Sequence, residues 1–206
     1  GMYIEGEPNA PGNQATFYSY QAFWLPEFSV WNLNHEYVHY LDGRFAKYGG
    51  FGHFPSHLVW WSEGLAEYVS KGEDNPKAFD LLIDTETSDW PTLAQIFATT
   101  YADGSKRVYR WSYQAIRFIF ERYPEQGRQL VHYLKTDYFW GYKALLDEFS
   151  TRRQDEFLQW QLAHRVGDSS PTETNEAQIT TGNNKTQSKT TGPKTLYRYL
   201  YRSYLQ

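Results

Sequence analysis

The pentapeptide His35-Glu36-Tyr37-Val38-His39 constrains this chain more than any other feature of its 206 residues. From Ser29 the apolar residues follow a period near 3.6, with Val30, Leu33, Tyr37, Tyr40 and Leu41 along one face. The spacing predicts a helix that ends at Gly43 in a left-handed cap. Residues four apart on a helix share a face, so both imidazoles can reach one ion while Glu36 stands beside it. That is the chemistry of zinc with a water whose proton a carboxylate takes.

A zinc ion that does chemistry needs three protein ligands and one open position. A second amphipathic stretch, from Pro55-Ser56 to about Lys71-Gly72, carries Leu58, Trp61, Leu65 and Val69 at helical spacing, with Glu63 and Glu67 at i, i+4. Glu63 is the expected third ligand. Glu67, one turn later, is placed to accept the free ring N–H of a liganding histidine and so fix its tautomer. His53 and His57 are also four apart, but Pro55 lies between them and no glutamate does, so both are read as loop or helix-start residues. His132 and His164 stand alone and are read as ordinary surface or core histidines.

Composition narrows the chemistry further. With no cysteine, a disulfide scaffold, a thiolate metal site and a cysteine nucleophile are all excluded. A net charge of -4 with 21% charged residues gives no reason to expect a nucleic-acid partner. No apolar run is long enough for a membrane span. Aromatic residues make up 19% of the chain, so rings are expected to fill the core and to line contact surfaces. No secretory leader is evident, and Gly1-Met2-Tyr3-Ile4 is already strand-like, as in a mature fragment whose upstream part is missing.

Along the chain, Met2 to Glu5 and Ala15 to Tyr20 flank a Pro/Asn/Gly turn and predict a hairpin. Beyond the two central helices and the glycine-rich Tyr48 to Gly52, helices are expected at 92–98, 108–123, 125–135, 139–149 and 154–166. The fold class is therefore α+β and predominantly helical: a small N-terminal sheet edge, two site-bearing helices and a helical helper. The expected division is a zinc-binding subdomain at 1–105, a helper at 106–166, a polar disordered linker at 167–194 and an unassigned tyrosine-rich tail at 195–206.

The strings Tyr3-Ile4-Glu5, His35-Glu36-Tyr37-Val38-His39-Tyr40-Leu41-Asp42-Gly43-Arg44-Phe45 and Trp61-Ser62-Glu63-Gly64-Leu65-Ala66-Glu67 resemble the catalytic subdomain of the bacterial collagenases. Those are thermolysin-like zinc peptidases with a glutamate ligand. The likeness covers roughly residues 1–166 and implies the C-terminal half of a thermolysin-like fold. It implies zinc on His35, His39 and Glu63, with Glu36 as general base and Glu67 behind the ligands. It also implies calcium at Glu5, completed by backbone carbonyls near Ala46 to Gly50; the residues alone equally allow Glu5 to be a solvent-facing strand-end charge. Tyr109 and Tyr113 are candidate donors to a developing oxyanion, alignment favouring Tyr109 and leaving Tyr113 as a candidate substrate-binding residue; packed aromatics are the equal alternative for each. Phe51 is expected to wall a substrate pocket, and the edge carrying Met2 and Tyr3 to pair with an extended substrate.

The implied activity is that of a secreted, extracellular bacterial zinc endopeptidase acting on collagen, gelatin or similar extended chains, with an upstream activator domain in the same protein. A zinc peptidase for other substrates and a non-catalytic collagen- or peptide-binding module are the alternatives.

Overall fold

The computed structural model describes residues 1–6, 10–49, 53 and 58–165. The expected linker, the tyrosine-rich tail, Phe51 and His57 all lie outside the described residues. Strands β1 (Met2–Ile4) and β2 (Thr16–Tyr18) pair antiparallel with Tyr3 opposite Phe17. This expected hairpin lies on the first helix, α1 (Leu33–Leu41), through Tyr3 against Tyr40 and Phe17 against both Tyr37 and Tyr40.

Helix α1 departs from the expected one at both ends and in the face it buries. It starts at Leu33 because Asn32 takes the left-handed conformation (φ 54°), while Val30 bridges to Gln21. Asparagine is among the few residues that enter this region at small cost. At the other end the chain runs past Gly43 through a π-helical turn, Asp42–Ala46, and Gly43 does not adopt a positive φ. The apolar stripe is not the buried one either. Leu33 and Tyr37 are exposed, whereas His35, Glu36, Val38 and His39 are buried. A polar face can be buried only where its groups find partners, and those come from the next helix.

Helix α2 (Val59–Lys71) is buried on every side from Trp60 to Tyr68 and ends at Gly72, whose φ of 75° suits glycine. It lies at the centre of the fold, against α1 and against α5 (Ser112–Arg122). Gly64 sets the second approach. A Cβ there would lie 2.6 Å from the Ser112 carbonyl oxygen and 2.9 Å from Ile116 Cγ1. Gly64→Ala is therefore expected to destabilise the fold by about 1–3 kcal/mol in urea unfolding, despite alanine's better helix propensity.

Around this pair pack α3 (Pro76–Asp84), which the sequence reading left unassigned, α4 (Leu93–Phe97), α6 (Pro124–Lys135) and α7 (Phe139–Arg165). The expected helices at 139–149 and 154–166 are one helix of 27 residues. Ser150 and Thr151, which fall in the gap left between the two expected helices, donate their hydroxyls to the Asp147 carbonyl within the continuous helix. The helix expected at 108–123 opens instead inside a second π-helical turn, Lys106–Trp111, before α5.

One cluster of buried apolar residues extends from Val38 to Trp160, so the expected zinc-binding and helper segments share a core. Rings dominate it: Phe118 meets Phe149, Phe157 and Trp160, and the Trp60 indole donates to the Tyr142 hydroxyl at 3.1 Å. Among the described residues no helix is long and apolar enough to cross a membrane.

Candidate metal centre

The two imidazoles of α1 stand one turn apart, ring centroids 4.7 Å from each other, and turn toward α2. Glu63 meets them both. Its Oε2 is 3.0 Å from His35 Nε2 and 3.4 Å from His39 Nε2. One donor atom from each of the three buried residues falls within 4.8 Å of the others. Two ring nitrogens and one carboxylate oxygen are a donor set suited to a divalent transition ion. Among the described residues this is the one such His/Asp/Glu group, and its donor set fits the zinc expected there.

Glu67 lies behind His35, its Oε1 3.3 Å from Nδ1. Its Oε2 accepts from Lys71 Nζ at 2.5 Å and from Arg110 at 2.8 Å. Burial alone would raise this carboxyl, but His35 and Lys71 outweigh it and hold the group down at about 2. Burial likewise opposes charge on His35, yet Glu63 and Glu67 raise its pKa to about 9. Glu63 is also lowered against the pull of burial, by His35, His39 and Tyr101.

The cluster opens into a cavity of about 710 Å³ whose walls include Met2, Tyr3, Glu36, Val59, Tyr101 and Tyr109. Glu36 is buried at the cavity wall, with the Gly1 amino group 3.8 Å from its Oε1. The Tyr109 ring lies 6.1 Å from that of His35, and burial followed by the negative field of Glu63 raises its hydroxyl pKa. Tyr109 thus lines the cavity with its hydroxyl protonated at neutral pH.

Tyr113 does not belong to this site. Its hydroxyl donates to the Gly72 and Glu73 carbonyls at 2.9 and 3.2 Å, and its side chain is fully buried. It secures the end of α2 instead, so the reading of Tyr113 as a substrate-binding or oxyanion-facing residue is corrected. Near Glu5 the group at hand is Lys47, whose Nζ is 3.7 Å from Glu5 Oε1. Glu5 is therefore not a solvent-facing charge.

Three groups of the site escaped the sequence reading. Tyr101 donates its hydroxyl to Glu63 Oε1 at 2.7 Å, which leaves Oε2 directed at the imidazoles. It comes from a short 3₁₀ turn, Tyr101–Asp103, whose Thr100/Asp103 capping box marks a turn start but not its meeting with Glu63. Arg110 reaches Glu67 from the second π-helical turn, a meeting likewise unmarked. Lys71 was detectable, because Glu67 and Lys71 form an i, i+4 pair on one helix.

The geometry can be set beside known proteins. The profile of the collagenase family, peptidase M9, matches residues 1–160. The chain belongs to the M9 collagenase family. It is 46% identical over 164 residues to a microbial collagenase of Vibrio alginolyticus, covering 78% of this chain and 20% of that one. A microbial collagenase of Vibrio vulnificus is 36% identical over 162 residues, covering 78% and 20%. A collagenase of Clostridium perfringens is 26% identical over 162 residues, covering 73% and 14%. This collagenase-family chain therefore spans about a fifth of the length of the Vibrio relatives it matches.

Proposed function

We propose that the chain is the zinc-dependent catalytic portion of a secreted, extracellular collagenase-type endopeptidase. The observation that carries this reading is the convergence of His35, His39 and Glu63 on one point beside Glu36, at the wall of an open cavity. Zinc held by those three residues would supply a Lewis acid for the scissile carbonyl and lower the pKa of water.

The rest falls to the chain's own side chains. Glu36 takes the proton of the attacking water and returns it to the leaving amine. Tyr109, protonated and lining the cavity, donates to the oxygen on which charge develops. Glu67 holds His35 by Nδ1 so that Nε2 faces inward. Among the described residues β1 pairs only with β2, so its other edge can receive an extended substrate main chain to main chain, with Met2 and Tyr3 at the cavity.

Metal analysis and cleavage assays test this together. The expected outcome is one zinc per chain, turnover of denatured collagen, loss of turnover on chelation and its return with added zinc. Zinc binding without turnover would favour a binding module, and turnover of unrelated unfolded proteins alone would favour another peptidase. Because the chain spans only about a fifth of the length of its Vibrio relatives, it is expected to cut unwound chains and short peptides while leaving native fibrils largely intact. Efficient digestion of fibrils would contradict that.

Tyr101→Phe isolates one hydrogen bond of the site. Removing the hydroxyl frees Glu63 Oε1 while keeping the ring. Zinc affinity, read by competition with a chromophoric chelator, is expected to weaken by roughly 10–100-fold. An unchanged affinity would show that Tyr101 does not position the ligand.

A further inference from the structure

The chain's likeness to the collagenases suggests calcium between Glu5 and the carbonyls of the segment after α1. The side chains at that place suit a different cation. Lys47 leaves the π-helical turn in extended conformation (φ −139°, ψ 140°), and its side chain has no exposed surface. Its Nζ donates to the Gly49 carbonyl at 2.8 Å and lies 3.7 Å from Glu5 Oε1. Gly49, at φ +66°, supplies the left-handed turn at this point.

The ammonium therefore stands between the carboxylate and a backbone carbonyl that calcium would need. Calcium takes six to eight oxygens at short range. A divalent ion drawing on these oxygens would press against Lys47, in a buried place where like charges repel far more than in water. Asp42, the other acid here, is also buried. Burial raises its pKa, with Lys47, His39 and the Trp61 side chain acting in the opposite sense.

The ammonium also has a mechanical role. Glu5 follows β1, the strand at the cavity wall, and Lys47 follows the helix that carries both histidines. Asn13 holds the Glu5 carbonyl at 3.1 Å, and the Tyr48 amide donates to Leu134 on α6 at 2.9 Å. The pair joins these two anchored segments. We propose that the Lys47 ammonium is the structural cation of this region, tying the end of β1 to the loop after the histidine-bearing helix, and that the fold takes no calcium there.

The test uses the zinc-loaded chain in calcium-free buffer. Thermal unfolding is followed as calcium is raised to about 10 mM at constant ionic strength, above the range of weak extracellular calcium sites. No saturable change in Tm is expected. A saturable rise of several degrees would overturn the proposal, since it reports a ligand bound only by the native state. Lys47→Met and Glu5→Gln, made singly and together, supply a second readout. Each is expected to lower Tm with or without calcium, and the double variant to lose less than the sum of the two. Additive losses would show that the two groups do not act as a pair. Should Lys47→Met fail to fold, the calcium titration of the parent chain and of Glu5→Gln still decides.

Discussion

Glu36→Gln is expected to lower peptide-bond turnover by about 10²–10⁴-fold, the usual worth of a positioned proton acceptor, while zinc stays at one per chain. The amide has the same shape as the carboxylate and fits the same buried place, but it cannot take a proton from water. Glu36 is not among the three groups whose donor atoms converge. Metal content and turnover should therefore separate cleanly in this variant. Turnover near that of the parent would remove Glu36 from the mechanism. Loss of zinc along with turnover would show that Glu36 supports the metal site.

Glu63→Gln is expected to do the reverse, removing the metal first. Its Oε2 is the atom that both imidazoles face, at 3.0 and 3.4 Å. A neutral amide oxygen there leaves two imidazoles without an anionic ligand. Zinc affinity should then fall by more than about a hundredfold, beyond the usual cost of losing a hydrogen-bonding neighbour of a ligand. The variant is expected to fold, because the amide keeps the volume of the carboxylate and Glu67 Oε1 still lies 3.3 Å from His35 Nδ1. Circular dichroism of the metal-free proteins checks folding, and chelator competition reads the affinity. Retention of zinc at the parent's affinity would exclude Glu63 as a ligand.

Much of the site was legible before any coordinates, for a simple reason. His35 and His39, and likewise Glu63 and Glu67, are pairs whose spacing matches the helical period, so each pair shares a face whatever the rest of the chain does. Tyr101, Arg110 and Lys47 obey no such period. They reach their partners from a 3₁₀ turn, a π-helical turn and an extended residue, and nothing short of folding brings Tyr101 to Glu63 across 38 positions. The misreading of Tyr113 has the same root. It and Tyr109 are four apart in sequence and look equivalent, but a π-helical turn ends at Trp111 between them. Tyr109 lines the cavity, while the Tyr113 hydroxyl is spent on the end of α2.

Apolar periodicity misled in an instructive way along α1. The stripe through Leu33 and Tyr37 is exposed, and the motif face is buried instead. Local pattern assumes that apolar groups drive burial, whereas here paired charges on α2 make a polar face the buried one. The continuous α7 shows the complementary case, in which the unassigned stretch 150–153 proves helical, with Ser150 and Thr151 bonding their hydroxyls to the preceding turn.

The sequence by itself determined which helices carry ligand-type residues and with what spacing, because helical geometry is local and repeats every few residues. Only the tertiary structure decided that α1 and α2 meet face to face, which tyrosine reaches the cavity, and that an ammonium stands beside Glu5. Those outcomes depend on where separate segments pack against one another, through contacts such as the Gly64–Ser112 approach, which no local pattern encodes.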